Sequence, residues 1–305
     1  MTKRTKIEFA AAIENPVSNF TPTKKEPNIQ LKGENIVDEI ISHSEEDFLP
    51  WEEIQLPSLG LYYGDLLPDG KLQVRPMGIT AEKILSTQRL AATGKSIDLM
   101  LKRCIKFPNG LNPEDLLIGD KNFLFFYIRG ITYGPDYNFL YTCSDKQCGR
   151  ASEYEGSLHD VRVKFAKPEL GPEPFKIELP ILSASAKKKV WAKAKMLRGK
   201  ESREIMNEIS TSRRYEDLDA TIDETISSNI ARLIVEVGTD ESSTTDKEKI
   251  RKFVERLHSN DAKKIDKFIE EASPGVESRV KLVCQHCGNE MNGELPITEA
   301  FFRPS

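Results

Sequence analysis

Two stretches decide how this sequence is read: DKNFLFFYIRGITYGPDYNFLYTCSDKQCG, residues 120–149, and DAKKIDKFIEEASPGVESRVKLVCQHCG, residues 261–288. Each starts at an aspartate and runs through apolar residues at helical spacing to a glycine. Each then alternates like a strand and ends on two cysteines followed by glycine. At one constant offset, Asp120 falls on Asp261, Leu124 on Ile265, Tyr127 on Phe268 and Ile128 on Ile269. Further along, Gly134 falls on Gly275, Phe139 on Val280, Tyr141 on Leu282 and Cys143 on Cys284. Cys148 and Cys287 align once two extra residues are allowed in the first knuckle. Apolar residues three and four apart mark a helix face, and alternation marks a half-buried strand. Both stretches therefore read helix, glycine turn, strand, cysteine knuckle.

The likeness extends upstream. KLQVRP (71–76) resembles FKIELP (175–180), each followed by a helical stretch, and SIDLML (96–101) lies loosely over NIARLI (229–234). We read a duplication, with copy one over 72–149 and copy two over 175–288, the second enlarged by inserted helical residues. The expected fold class is α+β: duplicated helix–strand units joined by a four-cysteine zinc ribbon. In domain terms this gives a flexible arm at 1–48, a first repeat with its knuckle at 49–170, and a second repeat at 171–305. The second carries the helical insertion, the second knuckle and an aromatic tail. The arm is poor in aromatic residues and holds one short helical stretch, ENIVDEIISH (34–43). Ordered structure is expected from LPWEEIQLPSLGLYYG (49–64) onward.

Cys284-x-x-Cys287-Gly is a half-site for a tetrahedral metal, and Cys143-x4-Cys148-Gly supplies a second half with a longer spacing. If the copies pack together, Cys143, Cys148, Cys284 and Cys287 meet at one zinc. Four thiolates leave no open position for water, so such a zinc is structural, not catalytic. The glycines after the second cysteines, Gly149 and Gly288, let the backbone turn so that amides approach the sulfurs. Five cysteines without an export signal point to a reducing compartment, where paired cysteines hold metal more often than they form disulfides.

Other classes are disfavoured. The 305 residues include 38% hydrophobic and 30% charged, with a net charge of −4, so a general nucleic-acid binder is not expected. The most apolar window, FLFFYIRGIT (123–132), is far shorter than the roughly 20 residues of a membrane helix. ATGKSID (92–98) imitates a phosphate loop, but Arg89 stands where the motif needs glycine. His159, His258 and His286 read as surface residues and Cys104 as a core residue; no catalytic constellation is visible. Residues 112–134 read as one helix opening on Asn112–Pro113, and 184–230 as mostly helical. Within the latter, AKKKVWAKAKMLRGK (186–200) reads as a basic, solvated helix face. In the tail ELPITEAFFRPS (294–305), Phe301 and Phe302 are either the lid of a hydrophobic cluster or an aromatic anchor for a partner.

Taken together, LPSLGLYY, RPMGITAEKIL, LLIGDKNFLFFYIRGITYGPDYNFLYTC, PFKIELP and the closing CQHCG and LPITEAFFRPS resemble the T4-type baseplate proteins of contractile-tailed phages. That family includes hub subunits and hub assembly proteins. The resemblance covers residues 49–305 and leaves out the arm. It implies a structural or assembly-promoting protein without enzymatic activity, with other baseplate or tail proteins as partners. Its place would be the tail baseplate of the virion, or the host cytoplasm during assembly. Two alternatives stay open: a nucleic-acid-associated zinc-ribbon protein, and a transient assembly chaperone absent from the mature particle. Self-association is left open.

Overall fold

The computed structural model describes residues 5–6, 8–9, 17–19, 35–43, 48–87, 95–212, 230–295 and 301; for 5–19 and 206–212 the backbone alone is described. Among these residues helices and sheets are mixed, and no helix is long and apolar enough to cross a membrane.

Two antiparallel sheets repeat one plan. In the first, Glu52–Gln55 pairs with Lys71–Val74, which pairs with Ile105–Lys106. In the second, Phe175–Glu178 pairs with Val190–Ala194, which pairs with Ile234–Thr239, and Ser243–Thr244 adds a fourth strand. Helices Ile79–Leu85 and Lys95–Cys104 connect the second and third strands of the first sheet. In the second sheet Gly199–Ser212 begins the matching connection. The residue leaving each middle strand is tied in the same way: Arg75 N–H donates to the Cys104 carbonyl (2.9 Å), and Lys195 N–H to the Leu233 carbonyl (2.8 Å).

This plan corrects two readings. KLQV is the middle strand of its sheet while FKIE lies at an edge, so the two do not occupy equivalent places. The strand placed like Phe175–Glu178 is Glu52–Gln55; each runs into Leu-Pro, and Leu56 and Leu179 are both fully buried. The basic run 186–200 is no helix face either. Val190–Ala194 is a middle strand in which Val190, Trp191, Ala192 and Ala194 are buried. Alanine and lysine favour helix, but propensity yields to the burial a middle strand offers. Lys193 reaches out of the sheet to Glu236 (2.7 Å) with its ammonium over the Trp191 ring.

Each sheet is followed by a long helix. Ile118–Tyr133 is apolar nearly all round, with Phe123, Leu124, Phe125, Phe126, Ile128 and Ile131 buried, as a helix at the centre of a core must be. It starts later than Asn112–Pro113 would suggest. Asn112 and Asp115 close a turn instead, and the Leu117 and Ile118 N–H groups are taken by the Tyr63 hydroxyl and the Leu197 carbonyl. The second long helix, Ser259–Ala272, is amphipathic, burying Ile265, Ile269 and Ala272. It is separated from Lys247–Val254 by a break at His258, whose ring nitrogen accepts the Asn260 N–H.

The first long helix ends at the Gly134 turn and leads straight into a β-hairpin. After the second, Gly275 opens no turn but a short strand, Gly275–Glu277, antiparallel to Arg162–Lys164, and the hairpin follows it. Asp136–Thr142 pairs with Ala151–Ser157, and Arg279–Val283 pairs with Glu290–Glu294. The chain crosses itself backbone to backbone where Gly119, in the first turn of the first long helix, meets Pro274 and Gly275 after the second. The N-terminal arm, read above as flexible, contributes edge strands in its described residues. Thr5–Lys6 lies parallel to Ala151–Ser157, Glu8–Phe9 antiparallel to Arg279–Val283, and Val17–Asn19 antiparallel to Arg162–Lys164.

Candidate metal centre

Both hairpins carry their cysteines in the turn. The strand partners before and after the turns are Thr142 with Ala151 and Val283 with Glu290. The turns close alike: Cys143 N–H donates to the Arg150 carbonyl and Cys284 N–H to the Asn289 carbonyl, both at 2.9 Å. Gly149 and Gly288, at φ +54 and +75, adopt the left-handed backbone that these turns require and that other residues resist.

The hairpins dock against each other, so the turns meet. Tyr154 donates its hydroxyl to the Val283 carbonyl (3.1 Å), and Gln285 donates its side-chain amide to the Glu153 carbonyl (2.6 Å). The Tyr141 ring lies where a side chain on Gly293 would have to go. Cys143, Cys148, Cys284 and Cys287 therefore converge, with their sulfurs all within 4.8 Å of one another. The Cys143–Cys287 and Cys148–Cys284 sulfurs are 3.7 and 3.8 Å apart. Those are not disulfide lengths; a tetrahedral zinc with Zn–S bonds of about 2.3 Å places its sulfurs about 3.8 Å apart.

The electrostatics suit a cation. Main-chain N–H groups of His286 and Cys287 aim at the Cys284 sulfur and hold its thiol down to about 6. Cys287 accepts the Asn289 N–H, but desolvation and its three neighbouring cysteines push it up to about 12. Cys143 accepts the Asp145 N–H and is nevertheless raised by burial and by Cys284 and Cys148. Four thiols this close resist full ionisation until a divalent cation joins them. Asn289 was not foreseen from the sequence. Its side-chain amide points at the Cys143 sulfur (3.9 Å) and the Ser144 hydroxyl (3.4 Å), linking the second knuckle to the first. Its only sequence signal is a polar residue directly after the knuckle glycine.

The two aspartates that head the aligned stretches, Asp120 and Asp261, are both fully buried. Asp120 accepts the Ser58 N–H (3.0 Å) and the Tyr63 hydroxyl (2.7 Å). Asp261 accepts the N–H groups of Ile181 (3.1 Å) and Leu182 (2.8 Å), at the start of helix Pro180–Ala186. In each case the carboxylate holds the chain just past a Leu-Pro step. Burial raises Asp120 to about 6, against the opposing hydrogen bonds from Ser58 and Tyr63.

The aromatic tail lies elsewhere. Phe301 is fully buried, edge-on to Phe126 and Tyr137 with ring centroids 5.1 and 4.9 Å away, and its carbonyl accepts from the buried Arg129 (3.3 Å). In this conformation Phe301 offers no surface to a partner; Phe302 lies outside the described residues. His159, His258 and His286 are exposed and Cys104 is buried.

No curated protein and no solved structure matches the chain. A family model described as T4 bacteriophage base plate protein matches residues 62–303, a span that takes in both knuckles, both long helices and Phe301. The chain therefore belongs to the T4 bacteriophage base plate protein family, with a structural or assembly role in a phage baseplate.

Proposed function

We propose that this protein is a two-copy unit stapled by one structural zinc, acting in the hub region of a contractile-tail baseplate through protein–protein contacts and not through catalysis. The observation that carries the reading is the convergence of four sulfurs from two similarly built hairpins, at separations that suit tetrahedral zinc. The duplication is supported by the matched strand order of the two sheets and by the paired aspartates Asp120 and Asp261. On this reading the boundaries are an arm over 1–48, a first unit over 49–170 and a second over 171–305. Cys143, Cys148, Cys284 and Cys287 hold the metal, which contributes folding energy on the order of 10 kcal/mol. The zinc locks the two hairpins together, and the arm strands lie along the same hairpins. Partner surfaces are thereby held in one arrangement while the protein joins other tail proteins, in the host cytoplasm or in the virion.

Elemental analysis of purified protein, with thermal unfolding before and after a strong chelator, tests the proposal. One zinc per chain and a large loss of stability on its removal are expected. Metal-free protein of unchanged stability, or iron in place of zinc, overturns the zinc staple. Detection of the chain in purified phage particles separates a permanent subunit from a factor that leaves.

A further inference from the structure

The helix Ile36–Ser42 buries none of its side chains. Ile36, Val37, Ile40 and Ile41 are 52, 64, 41 and 75% exposed. Residues at these spacings share one side of a helix, so they form an aliphatic strip with Asp38 and Glu39 in the first turn beside it. Single exposed apolar residues are ordinary, whereas a contiguous strip of four marks a surface made to be covered.

The charge around the strip says what covers it. Residues 34–47 carry six carboxylates and no lysine or arginine, in a chain of net charge −4, so the remainder of the chain is net positive. That positive charge has its own concentration: residues 179–200 carry seven lysines and arginines and no acidic residue. Within that stretch Ile181, Ala184 and Lys187 to Lys189 are exposed on and just after helix Pro180–Ala186. An acidic aliphatic helix and a basic surface with an exposed isoleucine are thus present on one chain, and the helix leaves its aliphatic side chains exposed.

We propose that the Ile36–Ser42 helix of one copy docks on the Ile181 and Lys187–Lys189 surface of a second copy. Two different patches meet: made reciprocally about a twofold axis the contact closes a dimer, and made once per pair it is head-to-tail. Repetition of such a contact builds a ring if it closes and a chain of subunits if it does not. The aliphatic strip is the anchor, and the carboxylates set register and encounter rate. The proposal does not depend on which metal the cysteines hold.

Sedimentation velocity of the full-length protein over a range of concentration and salt tests it, with metal content as the check on folding. Association that rises with concentration and weakens as salt rises is expected, since the contact joins opposite charges. Val37→Ser with Ile41→Ser alters only exposed side chains and weakens association by about tenfold or more, the scale of losing one interface anchor. Asp38→Lys in one chain, and Lys187→Glu with Lys189→Glu in another, each abolish self-association; mixing the two chains restores it. A monomer at every concentration in low salt overturns the proposal. So does wild-type association in the Val37/Ile41 variant, or no recovery when the charge-reversed chains are mixed.

Discussion

Gly119→Ala is a small change that this structure does not accommodate. Gly119 lies in the first turn of helix Ile118–Tyr133 with no left-handed backbone to protect, so local preference alone favours alanine by about 0.5–1 kcal/mol. The neighbouring segment decides otherwise. A Cβ on Gly119 would stand 1.7 Å from the Pro274 carbonyl oxygen and 3.1 Å from the Gly275 Cα. Nonbonded heavy atoms settle at about 3.5–4 Å, so one backbone has to retreat by roughly 1.5 Å or more. Both obstructing groups are main chain, with no rotamer to turn away. Overpacking against rigid main chain falls at the upper end of its usual range, about 2–3 kcal/mol, and with the propensity gain set against it a net loss of about 1–2.5 kcal/mol is expected. Urea unfolding measures it as a lower midpoint at unchanged slope. Gly275→Ala meets the Gly119 Cα at 2.6 Å, so the double variant loses less than the sum of the singles. A Gly119→Ala protein as stable as the parent, or strictly additive losses, refutes the close crossing of the chain at this point.

Three other perturbations have defined outcomes. Asp120 is raised from its ordinary 3.8 to about 6, so the folded state holds its proton more tightly than the unfolded state does. Its contribution to stability therefore falls as pH rises from about 4 to about 6, by roughly 3 kcal/mol in all, with the loss complete above that window. Asp120→Asn removes this slope from the pH profile of unfolding, and an unchanged slope refutes the assignment. Asp261→Ala strands the Ile181 and Leu182 N–H groups at a helix start and costs about 1–3 kcal/mol, with Asp261→Asn losing less; chemical denaturation reads both. Phe301→Ala empties a site enclosed by Phe126, Tyr137 and Arg129 and costs about 3–5 kcal/mol by calorimetry, whereas a residue kept only for a partner would leave the isolated protein unchanged.

The sequence by itself determined the two cysteine knuckles and the helix and strand that precede each of them. Thiolate pairs followed by glycine are written locally. So are the spacing of Leu124, Tyr127 and Ile128 and the alternation before Cys143, because helix, strand and knuckle each depend on residues a few positions apart. Local pattern misled where burial was set by distant partners. Ala-Lys-rich 190–194 reads as helix until Phe175–Glu178 and Ile234–Thr239 flank it, and Asn112–Pro113 reads as a helix start until Tyr63 and Leu197 take the N–H groups further on. The same holds for the tail, whose two phenylalanines look alike in sequence while Phe301 is claimed by Arg129 and Tyr137. Only the tertiary structure could decide which strands occupy equivalent places, that Gly119 must stay small, and that Asn289 reaches across to Cys143. Each of these is a relation between segments far apart in the chain, and such a relation exists only once the intervening chain has folded.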